Sequence, residues 1–359
     1  MAFSPFDHPW FSALLNRSDI DALFGVDADI AAMLRFEAAL AEVEAAHGVI
    51  PKTAAPVIAE AARGFRPDVQ RLAAGVARDG VVVPTLIACL RQAVGEANAG
   101  FVHVGATSQD VIDTSLMLRI KEAFPLFRDD LAAVLGHLDS LKTRDGQIGM
   151  MAKTRMQRAL PITFADRCQN WMNPLQHHLD DLEGLSRQVP AVQFGGAVGT
   201  LERLGDQAAN IRADLATRLG LIDPGRAWHT DRSRLVDFGN WLAKTSGSLG
   251  KIGQDLVLMA QNEVGEVSFP ASGRSSAMPF KQNPIQAELL VTLARFNAGQ
   301  LASMHQALVH EGERSGAAWT LEWLILPEMI AATAASLKLA ATCLEKLRAH
   351  PSREMAPAT

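Results

Sequence analysis

Between Pro125 and Pro161, between Pro224 and Pro270, and again between Pro284 and Pro327, the chain runs roughly 35 to 45 residues without a proline. Proline removes a backbone donor and clashes with the preceding turn, so gaps of this length permit long helices. About 40 helical residues reach about 60 Å at 1.5 Å per residue, several times the usual helix of about 11 residues. In the second gap Leu242, Leu249, Ile252, Leu256 and Met259 recur at steps of seven, three, four and three, which lines one helix face. Lys244, Lys251, Gln254, Asp255 and Asn262 fall on the other faces. Tyrosine is absent, aromatics make up 6% of the chain, and Ala and Leu are abundant. That balance favours helix, because Ala and Leu lose little freedom there while aromatics prefer strands. The expectation is an all-α chain built on a central bundle of long antiparallel helices.

The first hundred residues have a different rhythm. Ile30 to Ala46 reads as an amphipathic helix broken at Gly48 and Pro51, a second helix candidate spans Ala54 to Ala62, and Gly64, Pro67 and Gly75 then interrupt the pattern. A length of 359 residues predicts about two domains if cores of about 150 residues are the norm. The division expected is a smaller, mostly helical N-terminal domain over 1–100, the long-helix bundle over 101–345, and a short tail over 346–359. The stretch from His350 to Thr359 carries two prolines and no apolar stripe, and is expected to fray.

A net charge of −5 argues against nucleic acid as a partner, since phosphate binding needs a basic surface, yet leaves room for a local basic pocket. Cys89, Cys168 and Cys343 are scattered and odd in number, and read as buried thiols of a reducing compartment. No basic n-region precedes an apolar run at the N-terminus, and no stretch of about 18 uninterrupted apolar residues occurs, so a cytoplasmic chain with no membrane span is expected. Gly195, Gly196 and Gly199 do not form a dinucleotide fingerprint after a credible strand. His177 and His178 are adjacent, and His305 and His310 are five apart, poor spacings for a shared metal on a helix. No metal and no organic cofactor are expected.

Three segments carry the chemistry. Gly273-Arg-Ser-Ser-Ala-Met-Pro-Phe-Lys-Gln-Asn-Pro284, followed by Glu288, is too rich in Gly, Ser and Pro for a helix and reads as a loop between helices. It offers the Ser275 and Ser276 hydroxyls, the Lys281 ammonium, the Asn283 amide and free backbone N–H groups, a set suited to binding a carboxylate and stabilising charge that builds on it. A polar interhelical connection is the plainer reading of the same residues. His103-Val-Gly-Ala-Thr-Ser-Gln-Asp-Val-Ile-Asp-Thr114 places Thr107 and Ser108 where a helix begins, both a capping position and a site for anions. Lys153-Thr-Arg-Met-Gln-Arg-Ala-Leu-Pro-Ile-Thr163 contributes Arg155, Gln157 and Arg158.

These segments resemble the signatures of the fumarase/aspartase superfamily. Ser275, Ser276, Met278, Pro279, Lys281, Asn283, Pro284 and Glu288 match its signature loop, with Arg274 where the family has Gly; Thr107 and Ser108 match positions that hold a substrate carboxylate. Thr154, Gln157, Ala159 and Pro161 match its Arg-Thr-His-x-Gln-x-Ala-x-Pro pattern, with Arg155 in place of the His. Arginine does no acid–base work near neutral pH, so Arg155 is left to pair with Glu288, to bind a substrate carboxylate, or both. Phe194 to Thr200, Gln254 to Glu266, and Glu313 to Trp323, together with Phe36 to Leu40 and Gly48 to Pro51, are similar to the cycloisomerase branch, so the resemblance covers nearly the whole chain. Arg314 matches an active-site arginine of related lyases, and a binding role is favoured over the plainer one of a surface ion pair.

The resemblance implies lactonisation of a carboxylated muconate in aromatic (protocatechuate) catabolism, with Ser275 as general acid/base and Lys281 and Asn283 completing the catalytic set. His103, Thr107, Ser108, Gln157 and Ser276 would hold carboxylates, Arg155, Arg158, Arg274 and Arg314 would balance the charge of a small anionic tricarboxylate, and Glu288 would orient. It also implies a homotetramer with shared active sites, and a C-terminal helical domain truncated or absent. A sulfonated muconate, an adenylosuccinate-type elimination and a non-catalytic helical scaffold are the alternatives. The Arg155 exchange counts against the second, and the intact Ser275, Lys281 and Asn283 against the third.

Overall fold

The computed structural model describes residues 4–270, 273, 278 and 281–353. The chain enters through α1 (Ser12–Leu15), α2 (Ser18–Phe24), α3 (Val26–Ala46), α4 (Ala54–Gly64), α5 (Val69–Asp79), α6 (Val83–Val94) and α7 (Glu96–Ala99). The bundle comes next as α8 (Ser108–Asp145), α9 (Phe164–Ser186), α11 (Ser233–Met259), α12 (Ile285–Gln306) and α13 (Ala317–Lys346), while α10 (Ala208–Leu219) packs on α3. The stripe read from the heptad-like spacing is the buried face of α11: Leu242, Leu249, Ile252, Leu256 and Met259 are all buried.

Prolines do not bound the long helices as the gaps suggested. Pro125 lies inside α8, Pro174 inside α9 and Pro327 inside α13. Each forfeits a backbone hydrogen bond, a local loss outweighed by burial of the flanking turns. Phe124 and Phe127 flank Pro125, Leu326 and Met329 flank Pro327, and all four are buried. With its proline absorbed, the 38-residue α8 reaches about 57 Å.

α12 packs against α11 and α13, α8 against α9 and α13, and α9 against α11. The α11–α12 approach is close enough that a Cβ on Gly253 would lie 2.5 Å from the Ala287 carbonyl oxygen, so only glycine fits there. At the junction of three helices the buried Asn297 donates to Ser246 Oγ at 3.0 Å and to Thr333 Oγ1 at 2.9 Å, a polar pin in an otherwise apolar bundle. The apolar core runs without a break from α3, through Met33 and Phe36, into the bundle. α13 is long and apolar enough to cross a membrane by length and composition alone, and 67% of its most apolar window is buried inside the molecule. Cys89, Cys168 and Cys343 are buried and free, and burial pushes the Cys168 and Cys343 thiols up to about 12.

Two short antiparallel pairings decorate the helices: a hairpin of β1 (Gly149–Thr154) and β2 (Gln157–Thr163), and β3 (Val267–Ser268) with β4 (Arg348–Ala349). The second pairing corrects the expectation of a fraying tail for residues 350–353, while 354–359 lie outside the described residues. His350 N–H donates to Glu266 O at 2.8 Å and Ser352 N–H to Gly149 O at 3.1 Å, so the tail is held by backbone bonds through Ser352, which an apolar-stripe criterion does not detect.

The two ends of the bundle are distinct. At the amino end of α8, the buried Arg232, which precedes α11, reaches Asp113 of α8 with Nη1–Oδ2 2.6 Å and Nη2–Oδ1 3.0 Å. The same guanidinium reaches Glu322 of α13 with Nε–Oε1 2.8 Å and Nη2–Oε2 2.6 Å. Trp319 Nε1 donates to Asp113 Oδ1 at 2.9 Å. Burial disfavours the Arg232 cation, but Asp113 and Glu322 outweigh it and raise its pKa above the usual guanidinium range. Replacing Arg232 with Met should cost about 3–5 kcal/mol in a urea titration, because two buried carboxylates lose the guanidinium they share. Replacing Asp113, Arg232 and Glu322 together with apolar residues of similar volume should recover most of that loss.

Candidate active site

His103, Thr107, Ser108 and Arg314 gather at the amino end of α8. Thr107 caps the helix: its N–H donates to Asp110 Oδ2 at 3.0 Å, and the two residues form a reciprocal capping box. The capping role of Thr107 therefore holds, and Arg314 Nη1 also donates to Thr107 Oγ1. Asp110 is fully buried and also accepts from the Gly195 and Gly196 N–H groups and from His229 Nε2, each at 2.9 Å. The glycines that fail as a dinucleotide motif thus tie the 191–196 segment to this helix start. His103 stands in the left-handed region (φ 64°) with Nδ1 2.7 Å from Oε1 of the buried Glu37. Burial works against the imidazolium, yet the charge and hydrogen bond of Glu37 prevail and hold the His103 pKa above its ordinary value.

Lys281, Asn283 and Glu288 gather at the opposite end. Asn283 N–H donates to Gly273 O at 3.0 Å, and Gly273 adopts φ 60° in such close contact with the Asn283 backbone that a Cβ would strike it. This pinch closes the base of the signature loop and aims α12 from Ile285. An open cleft of about 1010 Å³ is lined by Met278, Lys281, Asn283 and Glu288 together with His350 and Arg353. Arg274, Ser275 and Ser276 lie outside the described residues. The hairpin sits at this same end, with Lys153 Nζ 3.9 Å from the buried Glu266. Its two-residue turn, Arg155–Met156, has both residues left-handed (φ 49° and 66°), a turn usually made by Asn-Gly. Arg155, Gln157 and Arg158 are exposed there, and Arg155 makes no ion pair with Glu288 among the described residues.

The candidate residues of one chain therefore occupy two places, toward opposite ends of the long helices. The connections fix the assignment: α12 leaves the loop end and returns the chain to Arg314 beside Thr107, and α13 carries it back to β4 at the loop end. Among the described residues no group of three or more His, Cys, Asp or Glu is placed to hold a metal.

Some buried and cleft-lining groups escaped the sequence reading. Glu37 and Glu44 lie seven and fourteen residues beyond Ile30, so the buried stripe of α3 carries two carboxylates where an apolar residue was due. That spacing was the available signal. Both Glu44 oxygens lack a hydrogen-bond partner among the described residues. Burial, reinforced by Glu37, pushes the Glu44 carboxyl up to about 9. His350 and Arg353 had no signal, because they reach the loop cleft only through the β3–β4 pairing.

A family model described as Lyase matches residues 18–298. The chain belongs to the fumarase/aspartase lyase superfamily. It is 38% identical over 349 residues to a 3-carboxy-cis,cis-muconate cycloisomerase of Pseudomonas aeruginosa, covering 96% of this chain and 76% of that one. The crystal structure of a 3-carboxy-cis,cis-muconate lactonizing enzyme from Pseudomonas putida superposes with a TM-score of 0.90 at 34% identity, covering 95% of this chain and 78% of the other. A fumarate lyase from Mesorhizobium sp. BNC1 gives 0.87 at 33% identity, with 94% and 77% covered.

In this superfamily member the buried acids leave a mark on stability. The folded pKa of Glu44 lies above its unfolded value, so stability is greatest below the ordinary carboxylate range and falls as pH rises toward about 9. Relative to Glu44→Gln, the wild type should lose at most about 1.4 kcal/mol per pH unit across that window, read from urea midpoints at about pH 6 and about pH 8. Met156→Gly should stabilise the protein by about 1 kcal/mol in the same titration, by relieving one left-handed side chain at the hairpin turn.

Proposed function

We propose that the protein is a cycloisomerase that lactonises 3-carboxy-cis,cis-muconate. The observation that carries this reading is the 38% identity to the Pseudomonas aeruginosa cycloisomerase over 96% of the chain. Arg155 in place of a proton-shuttling His supports it, since an exposed arginine held on a strained turn suits charge pairing and cannot serve in acid–base work.

In the proposed reaction one carboxylate oxygen of the substrate adds to the conjugated diene and forms the C–O bond of the lactone. The carbon α to another carboxylate receives a proton, and negative charge builds on that carboxylate as an aci-anion between the two events. Preorganised donors stabilise such a charge best. Lys281 and Asn283 fill that role, Ser275 serves as general acid/base, and Lys281 with the loop N–H groups favours the alkoxide that an unassisted serine does not form. Thr107, Ser108, His103 and Gln157 hold carboxylates, and Arg155, Arg158, Arg274 and Arg314 offset the remaining charge. The scheme calls on no metal and no organic cofactor.

The two half-sites of one chain stand too far apart to act on one small molecule. We therefore include in the proposal a cytoplasmic homotetramer in which antiparallel copies bring the Thr107–Arg314 end of one against the Lys281–Asn283 end of another. The division into an N-terminal domain over 1–100 and a bundle over 101–345 belongs to the same proposal, with the N-terminal part flanking the Thr107 end.

Loss of the diene ultraviolet absorbance on adding 3-carboxy-cis,cis-muconate is the expected result for wild type, with kcat at least about 100-fold lower in Ser275→Ala. Lys281→Ala and Arg314→Ala should each be inactive alone and recover partial activity when dissociated and reassembled together. No turnover by the assembled wild type, or turnover of only the sulfonated analogue, would sink the carboxymuconate reading.

A further inference from the structure

We infer that Glu37 is a positioning residue for substrate binding: by fixing Nδ1 of His103 from behind, it keeps the imidazole charged and presents Nε2–H to a carboxylate of the substrate. This rests on the proposed function, which places His103 in the carboxylate-binding half-site.

The geometry is specific. Glu37 is on the buried face of α3, 1% exposed, and its Oε1 lies 2.7 Å from His103 Nδ1. Its other oxygen, Oε2, has no hydrogen-bond partner among the described residues. A buried carboxylate with a single hydrogen bond is costly without a cation in reach, and His103 is the group beside it that can supply one. The other charges around His103 favour that. Glu37 comes from α3 and Asp110 from α8, both favouring the cation, while Arg91 of α6 opposes it; the Glu44 carboxyl, further along α3, is pushed up by burial and Glu37. Two carboxylates against one arginine favour the imidazolium. With Nδ1 committed to Glu37, the proton on Nε2 is the one left to meet a ligand, and no described residue accepts it.

His103 itself is aimed by strain. A left-handed conformation costs a non-glycine residue about 1 kcal/mol or more and persists where surrounding contacts enforce it. The enforcing contacts here are Glu37 on one side and, four residues on, the Thr107 cap with its Arg314 partner. Arginine and imidazolium thus flank the start of α8, two cations of different kinds. One is permanent and the other depends on pH, so a polycarboxylate held by both binds with an affinity that falls as His103 loses its proton. Such a contact is made equally with the bound substrate and the transition state, so it acts on KM and leaves kcat nearly unchanged.

The test uses the assembled protein as wild type, Glu37→Gln, Glu37→Asp and His103→Gln. The His103 midpoint is read by NMR of histidine-labelled protein, its line assigned by its loss in His103→Gln. Affinity for the tricarboxylate probe tricarballylate is read by calorimetry across the same pH range. Glu37→Gln keeps a hydrogen-bonding group of the same shape but removes the charge. It should lower the His103 midpoint by at least about one pH unit and weaken tricarballylate about tenfold near pH 7.5, with little change near pH 5.5, where either protein holds the imidazolium. Glu37→Asp should restore part of the shift. A folded Glu37→Gln with an unmoved midpoint overturns the inference, as does a midpoint that moves while the affinity profile stays put. Should Glu37→Gln fail to fold, a wild-type midpoint at or below the ordinary imidazole value overturns it instead. Muconate turnover is scored separately: if turnover is absent while tricarballylate affinity still tracks His103, the carboxymuconate reading fails and the role of Glu37 stands. Where turnover is present, KM should rise in Glu37→Gln at nearly constant kcat.

Discussion

The buried contact among Asp113, Arg232 and Glu322 sets the frame for everything else in this molecule. A single guanidinium with bidentate bonds to carboxylates on α8 and α13 locks the start of α11 between them, and all three side chains are buried. Apolar stripes alone allow long helices to slide by a turn, because one leucine resembles the next. A charged fork that satisfies four oxygens does not allow it. The residues flanking that contact are the ones that begin the half-site: Asp110 lies one turn before Asp113, and Thr107 caps the same helix.

With the register fixed at one end, helix length determines what happens at the other. α8 carries the chain to the β1–β2 hairpin, α11 to the segment before the signature loop, and α13 to the strand that closes against it. Lys281 and Arg314 consequently stand toward opposite ends of the long helices. On the proposed reading an anionic substrate with three carboxylates draws on both ends. On the proposed reading the architecture thus places the chemistry between molecules, and each copy contributes one end to one site and the other end to another. The electrostatics obey the same plan: the overall charge is mildly negative, while arginines and a paired histidine stand at the two ends.

Much of the fold was legible because its main elements are written at a period that one helix reads by itself. The α11 stripe from Leu242 to Met259, the helices begun near Ile30 and at Ala54, and the cap at Thr107 depend on neighbours three to seven residues away. The placement of Lys281, Asn283 and Glu288 along one cleft was legible in the same way, since they lie within one short stretch. The prolines misled, because Pro125 and Pro327 are tolerated only where packing on both sides makes good a lost hydrogen bond, and packing is not a local property.

The chain order of residues thus determined the helical class, the superfamily and the identity of most groups in the proposed site, all consequences of short-range spacing and side-chain chemistry. Tertiary structure alone decided three things. It tied the tail into a strand beside the loop, through backbone bonds that no side-chain pattern records. It set Glu37 behind His103 across 66 positions of sequence. It also set the two half-sites toward opposite ends of the long helices. Each depends on which surfaces meet once the bundle has closed, and that is settled by the shape and charge of the whole core.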